Sequence, residues 1–327
     1  MKAIQLTGFN GVESLLQIDL PTPKPLTDEV LIKVQAAGIN YAEVEQIHGN
    51  YLTFGKEIPF VMGFEVAGEV AEIGSEVTHL AVGDKVTGFS ISGGFAEYST
   101  AKADTLIPIP NGLTFGQATT IPIQGMTAYT MLKYLVVPNA PESILIQAAA
   151  GGVGLYLVQL AKHFGIKNII ALASSDDKLE LIKSLGAHVV INYSASDWVE
   201  KVKEATSGKG VDVVLQMLLG SIGEESFKLV APNGKIVLFG SKNYNDTITT
   251  EQVRQLIWSN QTLAGFAYPA LPIEKITESL PEFLELVSTG KIKIFADHNF
   301  QLEEAKEAFV ALASRKTIGK VYFSFPN

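Results

Sequence analysis

Residues 147–162 read QAAAGGVGLYLVQLAK, directly after the apolar run SILI at 143–146. A short hydrophobic run, an Ala-Gly hinge and a long amphipathic run form a strand, a tight turn and a helix. Ala149-Ala150-Gly151-Gly152-Val153-Gly154 matches the G-x-G-x-x-G dinucleotide fingerprint with Ala in the first place. Gly151 lets the backbone approach a pyrophosphate, and Gly154 lets helix and sheet pack closely. The helix start then offers N–H groups without partners and the positive end of the helix dipole. Ala150, Gly151, Gly152, Val153 and Gly154 are therefore the first candidate nucleotide-holding residues. The alternative is a tight strand-helix turn that holds nothing, and the further units around it favour the nucleotide.

Those units extend in both directions. After SILIQAAA and GLYLVQLAKHFG come NIIALA with DKLELIKSLG, HVVINY with WVEKVKEATSG, and then VDVVLQM, GEESFKLVAP and GKIVLFG. Short apolar runs alternating with helices of about ten residues predict a mostly parallel, doubly covered sheet. Upstream the pattern differs. Residues 1–20 predict two short strands around the Gly8–Gly11 turn, and Pro21, Pro23 and Pro25 enforce an extended linker. EVLIKVQAAGIN alternates, with Val30, Ile32 and Val34 on one face, and 41–48 predict a short helix. The Val- and Gly-rich stretch from Gly63 predicts tight strands with bends. From about 266 the helix LPEFLELVSTG, the strand-like IKIFAD, the helix LEEAKEAFVALASR and the strand GKVYFSF suggest a return to the first domain. The expected division is 1–123 as a mostly β domain, 124–265 as a Rossmann domain inserted into it, and 266–327 as the return. The fold class is α/β.

The bulk composition narrows the function. A chain of 327 residues with 47% hydrophobic and 18% charged residues is globular and long enough for two domains. A formal net charge of -9 argues against a nucleic-acid partner. Cysteine is absent, which excludes disulfides, thiolate metal sites and a cysteine nucleophile. The five histidines are scattered without a short ligand motif, and His48 alone adjoins the proposed active-site helix. No run of eighteen apolar residues occurs, so the chain reads as a soluble, cytoplasmic protein with no membrane partner.

The end of the second strand, IIALA, bears on the cofactor. An NAD site wants an acidic residue there, and the chain continues Ser174-Ser175-Asp176-Asp177-Lys178. Lys178 stands one helical turn on, in reach of a 2′-phosphate. A helix cap at Ser174 or Ser175, a capping box from Ser174 to Asp177 and a solvated Lys178 read the same residues without a ligand, and Asp176 and Asp177 keep NADH open.

In order and spacing, AAGIN (36–40), GFEVAGEV (63–70), VGDKV (82–86), GGFAEY (93–98), QGMTAY (124–129), AAAGGVG (148–154) and TIGKVYF (317–323) resemble the medium-chain dehydrogenase/reductase superfamily. Within it the chain is most similar to the zinc-free quinone oxidoreductase group, which includes zeta-crystallin. The resemblance covers nearly the whole chain. It implies a GroES-like catalytic domain around an inserted Rossmann domain, NADPH in the cleft between them, and a homodimer. The zinc-dependent branch carries Cys and His where this chain has Asn40 and Phe64, so no catalytic metal is expected. Glu65 remains, read as a structural carboxylate. By the resemblance, Ser174, Lys178 and Tyr193 surround the 2′-phosphate. Gln124 and Thr127 lie beside the nicotinamide, and Phe239, Gly240 and Ser241 follow the strand that passes it. Several family members have a tyrosine five residues after Asn40; this chain has Glu45, for which a solvent-facing helix position is the simple reading.

Without a metal, hydrogen bonds must stabilise the charge that appears on a substrate oxygen. That favours quinones and other activated carbonyls as acceptors, with 2-alkenal or enone reduction and a non-catalytic NADPH-binding protein as alternatives. Asn40 is the first candidate donor, with turn capping as the other reading. Tyr41 and Tyr51 are candidate proton donors or ring-stacking walls.

Overall fold

The structure, a computed structural model, describes residues 1–50, 56–218, 220–240 and 248–326. Tyr51 and Ser241 lie outside the described residues. The chain divides into two compact units, Met1–Ile123 with Lys293–Asn327, and Gln124–Ile292.

The second unit is a six-stranded parallel sheet in the spatial order Val189–Asn192, Asn168–Ala173, Ser143–Ile146, Val211–Gln216, Val230–Phe239, Thr262–Phe266. In chain order this is 3-2-1-4-5-6, the doubly wound arrangement of dinucleotide-binding folds. SILI is buried at all four positions because strands flank it on both sides. The order reverses between it and Val211–Gln216. That crevice at the strands' carboxyl ends is where such sheets receive ligands.

This unit continues past residue 265, where the sequence placed its end, to Ile292. The cause is the helix Ile273–Ser288. Its Phe283 is fully buried, with ring centroids 5.7 Å from both Tyr129 and Tyr156. The burial of one aromatic ring, worth about 2–3 kcal/mol, thus ties that helix to the second unit.

The first unit holds a seven-stranded sheet centred on Glu29–Ile39, which pairs with Glu65–Ile73, Tyr98–Lys102 and Val321–Ser324. A three-stranded sheet comprises Leu15–Asp19, Lys2–Leu6 and Phe60–Val61. Glu29–Ile39 was expected to alternate, yet Leu31 and Gln35 are buried along with Val30, Ile32 and Val34. A strand inside the sheet and covered on both faces loses the alternation of a half-exposed one. IKIFAD forms no strand. The Phe295 carbonyl accepts from the Lys320 N–H instead of joining a ladder, and the strand lies at His298–Phe300. No helix among the described residues is long and apolar enough to cross a membrane.

Candidate functional site

The glycine turn comes first. Gly151 is the extended N-cap of helix Gly152–His163. A Cβ at Gly154 would stand 2.6 Å from Ala149 Cα and closer still to the Ala148 carbonyl oxygen, so glycine is what lets this helix seat on its strand. A Cβ at Gly151 would meet only the Ala148 carbonyl oxygen, at 3.1 Å, and otherwise open space. The Gln124 amide lies across Gly152, where a Cβ would overlap it. Gln124 Oε1 is buried and makes no hydrogen bond among the described residues. An acceptor left unsatisfied in a buried position is costly, and a ligand's hydroxyl or amide donor at this turn would satisfy it. The turn therefore fits a dinucleotide.

Sequence reasoning missed Gln147, the residue that fixes this crevice. It is fully buried, and its Oε1 accepts from the Met217 N–H at 3.0 Å and the Leu218 N–H at 2.7 Å. Its Nε2 donates to Ser226 Oγ at 2.8 Å. One side chain thus ties the glycine turn to the chain that leaves Val211–Gln216. The only signal was a polar residue between an apolar run and a glycine hinge.

The outer end of the sheet holds Ser174, Lys178 and Tyr193. Tyr193 donates its N–H to the Ala173 carbonyl at 3.1 Å, so Ser174 and Tyr193 leave adjacent strand ends together. Lys178 is buried, and burial lowers its ammonium below the usual lysine range. Asp176 and Asp177 are exposed. The capping box expected from Ser174 to Asp177 is absent: Ser175 is the N-cap of helix Asp176–Leu185, and its side chain makes no cap bond.

Of the other expected residues in this unit, Thr127 is half-buried in helix Met126–Met131, and it is Thr130 that bonds back to that helix, at the Met126 carbonyl. Phe239 is buried at the carboxyl end of its strand, and Gly240 follows with a φ of 84°, a left-handed conformation suited to glycine.

In the first unit, Asn40 ends the Glu29–Ile39 strand and precedes helix Tyr41–Gln46. As the N-cap it forms a capping box with Glu43, and its side chain has two further partners. Nδ2 donates to Glu65 Oε1 at 2.9 Å, and Oδ1 accepts from Lys320 Nζ at 2.8 Å. Lys320 also pairs with Glu65, and both side chains are fully buried. Gly38 makes the room, since a Cβ there would stand 2.5 Å from Lys320 Cε. Glu43 accepts from the Asn40 N–H at 2.6 Å and the Phe64 N–H at 3.0 Å. The two positions that carry metal ligands in the zinc branch are thus bonded to two carboxylates. Among the described residues no group of three or more His, Asp or Glu is placed to hold a metal ion.

Tyr41 is half-buried against the first unit's core, and burial, with Glu45 nearby, raises its phenol above the usual range. Glu45 is buried rather than solvent-facing, with Asn50 Nδ2 at 3.3 Å from its Oε2. The short helix turns that face onto the domain. His48 packs its ring on Gly11. Lys320 and Glu43, both missed in the sequence, sit in ordinary-looking contexts: one precedes a terminal strand, and the other is a helix glutamate.

Burial pushes the Glu43 carboxyl up to about 8, Lys320 opposes this, and Glu65 adds to it. A carboxyl whose folded value lies above its unfolded one stabilises the fold fully below the unfolded value, near 4.3. That contribution disappears as pH rises through the folded value. Stability toward urea is therefore expected to fall between pH 5 and pH 9 by on the order of a few kcal/mol. Glu43→Gln is expected to flatten that slope; an unchanged slope in the variant would assign it elsewhere.

Residues 27–111 match the Alcohol dehydrogenase GroES-like domain family and 152–289 the Zinc-binding dehydrogenase family. The Quinone oxidoreductase of Pseudomonas aeruginosa is 33% identical over 97% of this chain and 98% of its own length. The chain belongs to the quinone oxidoreductase family of the medium-chain dehydrogenase/reductase superfamily. Two solved structures of similar proteins match it throughout. The mycobacterial Rv1454c complexed with NADPH superposes with a TM-score of 0.91 at 30% identity, over 99% of this chain and 100% of that one. The Escherichia coli quinone oxidoreductase complexed with NADPH gives 0.90 at 28% identity, over 99% and 100%. In this family the fold is GroES-like in the first unit and Rossmann-like in the second.

Proposed function

We propose that this chain is an NADPH-dependent, metal-independent oxidoreductase that reduces a quinone or another activated carbonyl acceptor. The observation that carries the reading is the glycine turn at the sheet's reversal point, with the unsatisfied Gln124 Oε1 beside it. A hydride is what the cofactor supplies when bound. Gly151 and the first turn of helix Gly152–His163 receive the pyrophosphate. Ser174, Lys178 and Tyr193 hold the 2′-phosphate, with Lys178 giving charge and the two hydroxyls hydrogen bonds. Gln124, Thr127, Phe239 and Gly240 border the nicotinamide end. In the first unit, Asn40 keeps one amide N–H beyond the one given to Glu65. It donates that N–H to the substrate oxygen on which negative charge collects.

The test is NADPH and NADH oxidation by the purified chain with 1,4-benzoquinone, 1,2-naphthoquinone and a series of enals. Turnover of quinones above enals supports the reading. The reverse order makes the chain an enone reductase, and turnover of neither leaves a nucleotide-binding protein. Lys178→Ala is expected to weaken NADPH about 10–100-fold, the loss of a charge-assisted phosphate contact of ~1.5–3 kcal/mol. NADH should change less than about 2-fold, because it carries no 2′-phosphate for Lys178 to meet. Equal losses for both cofactors would remove the phosphate assignment.

We also propose a homodimer formed through the outer strand of the second unit. Among the described residues Thr262–Phe266 pairs on one side only, with Val230–Phe239. An unpaired edge is a template for another strand, and antiparallel self-pairing is compatible with two-fold symmetry. Nearby, Ile257 is 68% and Trp258 85% exposed. Sedimentation equilibrium should give twice the chain mass, and Leu263→Pro, which strains and interrupts that strand, should give monomer. A monomeric wild-type chain would end the proposal. We propose a cytoplasmic location as well, which cell fractionation checks.

A further inference from the structure

Asn40 stands between a group that only accepts and a group that only donates. Glu65 Oε1 lies 2.9 Å from its Nδ2, and Lys320 Nζ lies 2.8 Å from its Oδ1. A side-chain amide has two orientations related by a half-turn, and elsewhere in a protein both are often satisfiable. Here one orientation sets N–H against carboxylate and C=O against ammonium. The other sets C=O against carboxylate and NH2 against ammonium, so both contacts become repulsive. From these contacts, and from the capping box that turns Oδ1 toward the Glu43 N–H as well, we propose that Lys320 is a positioning residue: with Glu65 it locks the Asn40 amide so that Asn40 meets a ligand through its remaining N–H, selecting oxygen acceptors such as a carbonyl or quinone oxygen.

The surroundings make the lock rigid. Lys320 and Glu65 are fully buried and Asn40 is nearly so, which leaves little water to compete for these bonds. Gly38 faces the pair, and any side chain there would displace the ammonium. The backbone is fixed from both ends. Asn40 N–H is held by Glu43, while Lys320 N–H is held by the Phe295 carbonyl. Glu65 Oε2 is buried and makes no hydrogen bond among the described residues. The carboxylate is therefore anchored through Oε1, the same atom that receives Lys320 and Asn40. The Lys320 ammonium on one side and the Glu65 carboxylate on the other are what distinguish the two amide orientations.

The substrate arm of this inference rests on the functional reading above; the amide lock does not. The experiment uses the full chain as wild type, Lys320→Met and the double variant Glu65→Gln/Lys320→Met. Two readouts are taken: hydrogen exchange of the Asn40 side-chain amide by NMR, assigned with Asn40→Ser, and kinetics with NADPH and 1,2-naphthoquinone. In wild type the Asn40 amide is expected to exchange slowly. In Lys320→Met that protection is lost, and kcat falls at least about tenfold while the NADPH KM stays within about twofold, the signature of an interaction felt at the reacting centre rather than in cofactor binding. In the double variant no buried charge is left alone, so the melting temperature should recover relative to Lys320→Met. The glutamine amide introduced by Glu65→Gln offers both N–H and C=O and so satisfies either orientation of Asn40. Protection should therefore stay lost in the double variant, and kcat should stay low. A double variant that recovers kcat together with stability would show the pair to be structural only. Retained protection in Lys320→Met would overturn the lock. If Lys320→Met does not fold, the double variant alone decides by the same two readouts. A wild type that turns over no acceptor overturns the functional reading and the donor role toward substrate, while the exchange data still decide the lock.

Discussion

Gly154→Val is expected to weaken NADPH binding at least about 100-fold, matching the ~3 kcal/mol at the upper end of overpacking costs, and to lower the melting temperature. The atoms a side chain would meet are Ala149 Cα, at 2.6 Å, and the Ala148 carbonyl oxygen, both backbone. Backbone at the end of a central buried strand cannot give way as a flexible side chain can. The helix must therefore back off its strand, and its N-terminal N–H groups leave the position from which they would receive the proposed pyrophosphate. Gly151→Ala is the control. Its backbone is extended, at φ -76° and ψ 172°, which alanine adopts without strain, and only one atom lies within contact range. Its melting temperature should stay unchanged while NADPH weakens, because the methyl group occupies the approach of the ligand rather than the core. Cofactor titration by fluorescence and thermal unfolding separate the two. A Gly154→Val chain that binds NADPH like wild type would show that the turn is not the nucleotide site.

The second large effect concerns stability. Phe283→Ala should cost about 3–5 kcal/mol, the range for truncating a buried aromatic. Phe283 is fully buried, and its ring touches Tyr129, Tyr156 and the surface of Gly125. Tyr129 is further bound to Glu282 on the same helix, with Oη donating at 2.5 Å. Losing the ring leaves a cavity between helix Ile273–Ser288 and the helices Met126–Met131 and Gly152–His163 that carry Tyr129 and Tyr156. Urea unfolding measures the loss, and limited proteolysis should find new cleavage within 273–288. A cost below about 1 kcal/mol, typical of surface changes, would mean that this helix is not held to the second unit by Phe283.

Function and stability meet at the buried charges. Two carboxylates and one ammonium lie together in the first unit, and the raised Glu43 value lets one carboxyl stay protonated near neutral pH. A protonated Glu43 adds no charge beside the buried Glu65–Lys320 pair, which lowers the cost of burying the cluster.

Much of this was legible in the chain itself. Alternating apolar runs and amphipathic helices after residue 143 determine a parallel sheet, because burial on both faces demands continuous apolar strands. The glycines of 151–154 mark the turn, because a strand that must deliver a helix end to a ligand tolerates no Cβ at the contact. The absence of cysteine, with Asn40 and Phe64 at the two ligand places of the zinc branch, set the metal chemistry aside from composition and resemblance. What the sequence could not determine depends on residues far apart in the chain. Lys320 reaches Asn40 and Glu65 across 280 and 255 positions, Gln147 reaches Leu218 across 71, and Phe283 carries its helix back to Tyr129. Local periodicity records which face a residue shows, whereas the partner of a buried polar group is chosen by packing. Only the tertiary structure decided where the second unit ends, why Glu45 is buried, and which way the Asn40 amide points.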